Sequence, residues 1–144
     1  MSEIAEEGLV DLDLAGWQDL LDRHPQIFHG MMAGARVALL PADDFDAPGA
    51  RMVVWEATGD GMRAGHRPFP GFETVDVDLL FVADEESLRR LHDRTNPTPF
   101  GDMKRKVRRR EILLYVVRPR DCLLERGYEE FLESLGLVFM GACR

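Results

Sequence analysis

Thr74–Asn96, TVDVDLLFVADEESLRRLHDRTN, is the stretch whose reading decides the fold class. Val75, Val77, Leu79 and Phe81 alternate with Asp76, Asp78, Leu80 and Val82. A period of two in β-branched and aromatic residues predicts a strand with one set on each face. Asp84 stands where a helix N-cap belongs, its carboxylate able to accept from the free amides of the first turn. Glu85 and Glu86 suit the positive end of the helix dipole. Leu88, Leu91 and His92 then recur at spacings of three and four, so the helix can lay one apolar stripe back on the sheet. This strand-turn-helix is the unit on which the rest of the chain is expected to pack. Asp76 and Asp78 are read as the solvated side of its strand.

Upstream, Leu14, Trp17, Leu20 and Leu21 form a helical stripe that Asp13 could cap, and Pro25 ends the helix at His24. Ile27, Phe28, Met31 and Met32 suggest a further helical turn or two. Arg36–Leu40 is short and apolar enough for a buried strand that stops at Pro41. Pro41–Ala50 is a connection by composition, and Arg51–Thr58, with Met52, Val53, Val54 and Trp55, is a second strand. GDGMRAGHRPFPG, Gly59–Gly71, holds four Gly and two Pro in thirteen residues and is read as a long, mobile loop. Downstream, Glu111–Val117 is a strand ended at Arg118-Pro119. A last helix capped by Asp121 carries Leu124, Tyr128, Phe131, Leu132 and Leu135, and Gly136 stops it. Leu137–Ala142 has the character of a final strand.

The order is roughly α-β-β-β-α-β-α-β, strands coming both in succession and alternating with helices. The predicted architecture is therefore a single α+β domain, a mixed sheet of about five strands covered by helices. Residues 12–144 are assigned to it, and residues 1–11, poor in large apolar side chains, to a mobile N-terminal segment. The second half alone, strand-helix-strand-helix-strand, is compatible with a split βαβ arrangement. By its layout, a leading helix before strands and a strand-plus-helix pattern before further sheet, the chain resembles sterol-carrier-protein-like lipid-binding domains. That resemblance implies a lipid-binding domain.

A chain of 144 residues, 45% apolar and 31% charged, is ordinary for a soluble globular protein. No apolar run approaches the ~20 residues of a membrane span, and the acidic MSEIAEEGLVDLDL is unlike a signal peptide, so a cytoplasmic location is expected. Cys122 and Cys143 are too few for a disulfide framework. Sixteen arginines against two lysines point to a GC-rich bacterial source. The net charge of −8 is unevenly placed. Lys104, Arg105, Lys106, Arg108, Arg109 and Arg110 fall within seven residues, and without them the remainder stands at −14.

No motif assigns a reaction. Gly59, Gly61 and Gly65 lack the spacing and the following helix of a dinucleotide fingerprint, and GxxxxGK[ST] is absent. Arg63, His66 and Arg67 on the expected loop are the candidate ligand-binding residues, three potential cations suited to an anionic small molecule. His24 and His29 lie five apart without HExxH or CxxC, so no metal ligand set is indicated, and any cofactor is left unknown. With no GxSxG, only Ser2, Ser87 and Ser134 are available as serine nucleophiles, and Ser87 is explained by its helix first turn. Cys122 stands beside Arg118, Arg120 and a helix start, which would lower a thiol pKa, but it reads rather as a small residue at the edge of a core.

The basic run offers two geometries. If helical from a cap at Asp102, it points Met103, Val107 and Leu114 inward and fans its cations outward. If it leads into the next strand, the cations alternate between faces. Either way Lys104, Arg105, Lys106, Arg108, Arg109 and Arg110 read as a solvated face neutralised by Asp and Glu of the same protein or of an oligomer partner, or as an interaction segment for an acidic protein surface or acidic ligand, a second copy of the chain included, that is dispensable for folding. Nucleic acid fits less well, because the protein is acidic overall and no aromatic side chains are interleaved to stack on bases.

The expectation is thus a small, non-catalytic protein that binds a partner or a small molecule. The alternatives are an enzyme acting on an anionic substrate at Gly59–Gly71, a nucleic-acid-binding regulator and a lipid-binding domain. Val77, Leu79, Phe81, Leu88, Leu91, Leu113, Tyr115 and Leu132 are expected in the core. Phe81→Ala should accordingly cost about 3–5 kcal/mol in a reversible denaturant melt; a loss below about 1 kcal/mol would mean that the faces of the central strand are misassigned.

Overall fold

In the computed structural model, which describes residues 14–47 and 49–137, five strands form one mixed sheet. The elements are α1 (Leu14–Arg23), a 3-10 turn (Pro25–Ile27), β1 (Arg36–Pro41), a second 3-10 turn (Ala42–Asp44), β2 (Arg51–Thr58), β3 (Gly61–Pro68), β4 (Leu79–Ala83), α2 (Glu85–Leu91), α3 (Pro99–Arg108), β5 (Leu113–Val116), α4 (Arg120–Glu125) and α5 (Glu129–Ser134). The spatial order is β3-β2-β1-β4-β5. Only β1 and β4 run parallel; the other neighbours are antiparallel. The predicted α+β class holds. The expected mobile segment 1–11, the Asp13 cap and the final strand beyond Leu137 fall outside the described residues.

The helices cover one face of the sheet. Trp17, Leu20 and Leu21 of α1, Leu88 and Leu91 of α2, Met103 of α3 and Phe131 and Leu132 of α5 pack with Val37, Leu39, Val53, Trp55, Leu79 and Phe81. Phe28, Trp55 and Phe100 meet with ring centroids 5.7–6.1 Å apart in edge-to-face geometry. The His92 ring meets Trp17 in tilted geometry, with centroids 4.5 Å apart. The other face buries Ala38, Leu40, Met52, Val54, Leu80 and Val82 with Phe69, Val75 and Val77. The sheet is therefore apolar on both sides, which explains the near-continuous runs VALL and MVVW.

Gly59–Gly71 is not a long loop. β2 and β3 form a hairpin turning at Gly59-Asp60, with Thr58 opposite Gly61 and Arg51 opposite Pro68. Gly61 accepts φ 128° at the turn, and the remaining glycines simply lie in an edge strand or beyond it. Gln18 of α1 tends that outer edge: its Nε2 donates to the Met62 carbonyl (3.0 Å) and its Oε1 accepts from the Ala64 amide (2.8 Å). Regular pairing on one side and this side-chain bridge on the other replace the expected long loop by an edge strand over Gly61–Pro68.

The central segment also departs from a single long strand. β4 begins only at Leu79, and Val75 and Val77 join the second core whereas Leu79 and Phe81 join the first. The chain changes face at Asp78, which is 1% exposed rather than solvated. Its carboxylate accepts from the Tyr128 hydroxyl (2.7 Å), the Arg36 amide (2.9 Å) and Arg126 Nη1 (3.0 Å). Its backbone donates to the Arg36 carbonyl and accepts from the Val117 amide. Asp84 behaves as read: it accepts from the Ser87 amide (3.1 Å) and hydroxyl (2.7 Å), and those bonds hold its carboxyl below the usual range.

Two further expectations are corrected. The last helix is split into α4 and α5 at Gly127 (φ 80°), where a Cβ would lie 1.8 Å from the Gly30 carbonyl oxygen. Leu113, 43% exposed, and the half-buried Tyr115 are less enclosed than expected, because β5 is an edge strand. Removing the Asp78 carboxylate tests the fold's main polar anchor. Asp78→Ala should cost about 2–4 kcal/mol, since it leaves the buried Tyr128 hydroxyl without this acceptor and Arg126 without its counter-ion; the half-solvated Arg126 keeps the figure below that of a fully buried pair. Urea denaturation measures it, and a cost under about 1 kcal/mol would show that water replaces the carboxylate.

Candidate functional site

Three features carry chemistry. The first is a cleft of about 410 Å³ between α1, the 3-10 turn after it and the β2–β3 hairpin. Leu21, Phe28, Met31, Ala57 and Met62 form its apolar side, while Asp22, His29, Thr58 and Asp60 stand among its polar lining. The local sequence builds this arrangement. Pro25 stops α1, so residues 25–31 turn across the end of the hairpin instead of extending the helix, and they carry Phe28 and Met31 to the opening. Met31 accordingly closes a turn through its amide to the Phe28 carbonyl at 3.0 Å. Phe28 reaches from the cleft into the core, 5.8 Å from Trp55. Of the helical turn or two that Ile27, Phe28, Met31 and Met32 suggest, the structure keeps one 3-10 turn, Pro25–Ile27 closed by the Phe28 amide, and Met31 and Met32 lie beyond it. Met32 is 57% exposed.

The second feature is a ladder of charge across the sheet where β1 and β4 begin. Arg67 meets Glu56 (3.2 Å), Glu56 faces Arg36 (3.6 Å), Arg36 meets Asp76 (3.1 Å), and Arg118 pairs with Asp76. Arg118 also approaches Asp78 (3.5 Å), which joins Arg126 and Tyr128. The Asp78 charge raises the Arg126 pKa further above its usual value. Burial, with Asp78 in support, drives the Tyr128 hydroxyl far above the usual phenol range, so it stays protonated and donates its hydrogen bond at any working pH. Every charge here has an opposite neighbour, and the group reads as structure.

Arg63, His66 and Arg67 all stand in the lining of a small cavity of about 100 Å³ at the β3 edge, together with Val54 and Glu56. In β3, Met62 and Ala64 face the helices, so by the strand's period His66 shares their face while Arg63 and Arg67 lie on the other. His66 Nδ1 is 2.8 Å from Arg51 Nη1, and Arg67 is tied to Glu56. Cys122 is half-buried with a free thiol. Among the described residues no group of three or more His, Cys, Asp or Glu could hold a metal ion, and no helix is long and apolar enough to cross a membrane.

The third feature is the basic segment. It is helical, but the helix starts earlier than Asp102, at Pro99. Met103 is buried and Val107 half-buried, as the helical alternative requires; Leu114 belongs to β5 instead. Arg105 pairs with Asp102, and Lys106 with Glu111 at 3.4 Å. Lys104 lays its methylenes against Gly136. Arg108, Arg109 and Arg110 are exposed. Arg110 closes the helix at φ 66°, where glycine is usual, and the Glu111 amide donates back to the Lys106 carbonyl (2.8 Å). The cleft is the site that sequence reading missed; its residues are scattered from Leu21 to Met62, and Pro25 is the one local signal of it.

No family model matches the chain, and no curated protein does. Among solved structures it is similar to a ubiquinone synthesis protein, UbiJ-SCP2, with 13% identity, TM-score 0.44 and 86% of this chain aligned to 88% of that one. A conserved hypothetical protein of Thermus thermophilus, described as possibly a sterol carrier protein, has 16% identity, TM-score 0.43 and coverages of 85% and 82%. Sterol carrier protein 2 has 16% identity, TM-score 0.43 and coverages of 85% and 88%.

The left-handed Arg110 gives a direct test of the helix end. Arg110→Gly should leave stability unchanged or raise it by up to about 1 kcal/mol, because relief of the backbone outweighs or balances glycine's added freedom in the unfolded chain; Arg110→Val should lower it by more than about 1 kcal/mol. Thermal melts of the two variants decide it, and equal stabilities would mean that the helix ends differently in solution.

Proposed function

We propose that the protein is a non-catalytic binding domain whose ligand is a small lipophilic molecule with a neutral or cationic polar end, seated in the cleft beside α1. The carrying observation is the cleft's composition: an apolar side of Leu21, Phe28, Met31, Ala57 and Met62 with a few polar groups beside it. A volume of about 410 Å³ suits a small ligand, and an apolar lining with sparse polar groups is the usual form of such sites. Asp22 and Asp60 decide the sign of the polar end, since a carboxylate or phosphate there would face two like charges. The lipid-binding alternative raised by the chain's layout is consistent with this ligand class.

A second reading concerns the exposed arginines. Arg108, Arg109 and Arg110 make no ion pair among the described residues, whereas Arg105 and Lys106 are neutralised within the chain. An acidic protein surface is the partner that this favours, in keeping with the planar donor fork of arginine. The interspersed Asp102 and Glu111 weigh against a continuous phosphate-tracking face.

The cleft reading is tested by quenching of Trp17 and Trp55 fluorescence as a monoacylglycerol or the fatty acid of equal chain length is added at pH 8. The neutral lipid should bind about tenfold more tightly, and Met31→Gln should weaken it about five- to tenfold, the effect of losing roughly 1 kcal/mol of apolar contact. Preference for the fatty acid, or an unchanged affinity in Met31→Gln, would overturn the assignment.

A further inference from the structure

The two edges of the sheet are finished differently. Gln18 bonds to both the Met62 carbonyl and the Ala64 amide at the β3 edge, as described above. At β5 no described residue does the same. The Val117 amide donates to the Asp78 carbonyl at 2.9 Å. Hydrogen-bonded pairs alternate along an antiparallel ladder, so Leu113 and Tyr115 turn their backbone groups toward β4. Leu114 and Val116 therefore present their N–H and C=O groups to the open side. Leu113 and Val116, 43% and 54% exposed, add apolar surface on the two sides of that edge. A bare edge with exposed aliphatic residues is a template for another strand.

The charges around this edge say what strand it suits. Arg108, Arg109 and Arg110 precede β5, Arg118 and Arg120 follow it, and Glu111, beside Lys106, is the one acidic residue from 108 to 120. Arg118 is occupied by Asp76, whereas Arg108, Arg109, Arg110 and Arg120 are exposed. A second copy pairing antiparallel through its own β5 would set Arg108–Arg110 against the copy's Arg118 and Arg120, like charge on like. We propose that the β5 edge receives an extended segment of a partner polypeptide, apolar in its middle and acidic at both ends, which adds as a sixth strand. The proposal rests on the acidic-partner reading of the basic segment and gives it a register. Main-chain bonds to Leu114 and Val116 supply the pairing, and the flanking arginines select for carboxylates.

Fluorescence anisotropy of a labelled, acetylated twelve-residue peptide, with three acidic residues at each end and alternating Val and Thr between them, tests this on the full chain. The peptide should bind with an affinity that falls as salt rises, and the amides of Leu114 and Val116 should exchange at least about tenfold more slowly in the complex. Arg108→Glu with Arg109→Glu should weaken binding about tenfold or more. Val116→Pro should do likewise, because it removes an outward N–H without touching the β4 ladder. Should that variant unfold, the exchange measurement on the wild type decides alone. Loss on charge reversal with undiminished binding by Val116→Pro and no amide protection overturns strand addition while leaving the acidic-partner reading intact. Binding indifferent to charge reversal, or no binding at low salt, overturns both. Binding that appears only after deletion of residues 1–13 or 138–144 assigns the edge to the chain's own terminus. A dimer dispersed by Val116→Pro assigns it to a second copy. Either of these also overturns the proposal.

Discussion

The Asp78 carboxylate is the constraint on which the rest of the structure depends. It is almost wholly buried, so its charge must be met by donors at fixed positions. Those donors come from distant parts of the chain: the Arg36 amide at the start of β1, Arg126 at the end of α4 and the Tyr128 hydroxyl before α5. One side chain thus sets the parallel β1–β4 pair against the α4–α5 corner. The same residue's backbone bridges Arg36 and Val117, where β5 leaves the sheet. A carboxylate here orients the corner through several short bonds at once, which an aliphatic residue could not do.

The change of face at Asp78 also explains how a small domain fills both sides of its sheet. Val75 and Val77 serve the second core, Leu79 and Phe81 the first, and the turn between them is held by the buried acid. The helical side has the larger rings, with Trp17, Trp55, Phe28, Phe100 and Phe131 in one cluster. The opposite side is closed by segments bearing Phe45, Phe69 and Phe72: Phe45 meets both other rings and stacks on Tyr115 of β5 at 5.3 Å, and Phe72 meets Tyr115 edge-on. The cleft lies at the margin of the first core, where Pro25 diverts the chain and the hairpin projects. Apolar surface is available there because none of the described helices continues over it.

Charge is organised by the same geometry. Near Asp78 the cations and anions interlock, so Arg36, Arg67, Arg118 and Arg126 are spent on structure. Past β4 the balance fails, and arginines gather at both ends of an edge strand that has no outer neighbour among the described residues. The β3 edge, bridged by Gln18, shows that the fold can close an edge from within. At the β5 edge no described residue makes such a bridge.

Much of the domain was legible in the sequence because it depends on local rules. Short apolar runs marked β1, β2 and β5; Asp84, Pro25 and Gly136 marked helix ends; Leu88 and Leu91 marked a buried stripe. The α+β class follows from the order of those signals. Gly59–Gly71 misled because its glycines and arginines carry no strand propensity of their own; pairing with β2 and the bridge from Gln18 made it a strand, interactions that composition does not encode. Asp78 misled for a related reason: alternation suggests a solvated face, but whether an acid is solvated or buried depends on what the fold brings opposite it. Arg126 and Tyr128, some fifty residues away, bring the answer. The cleft was likewise invisible, being assembled from α1, a turn and a hairpin. By itself the sequence determined which segments are strands and helices wherever neighbours along the chain decide, and it placed the arginines beside β5. Only the tertiary structure decided which charges are neutralised, which edge stays open and where apolar side chains line a cleft, because each of these depends on contacts between residues far apart in the chain.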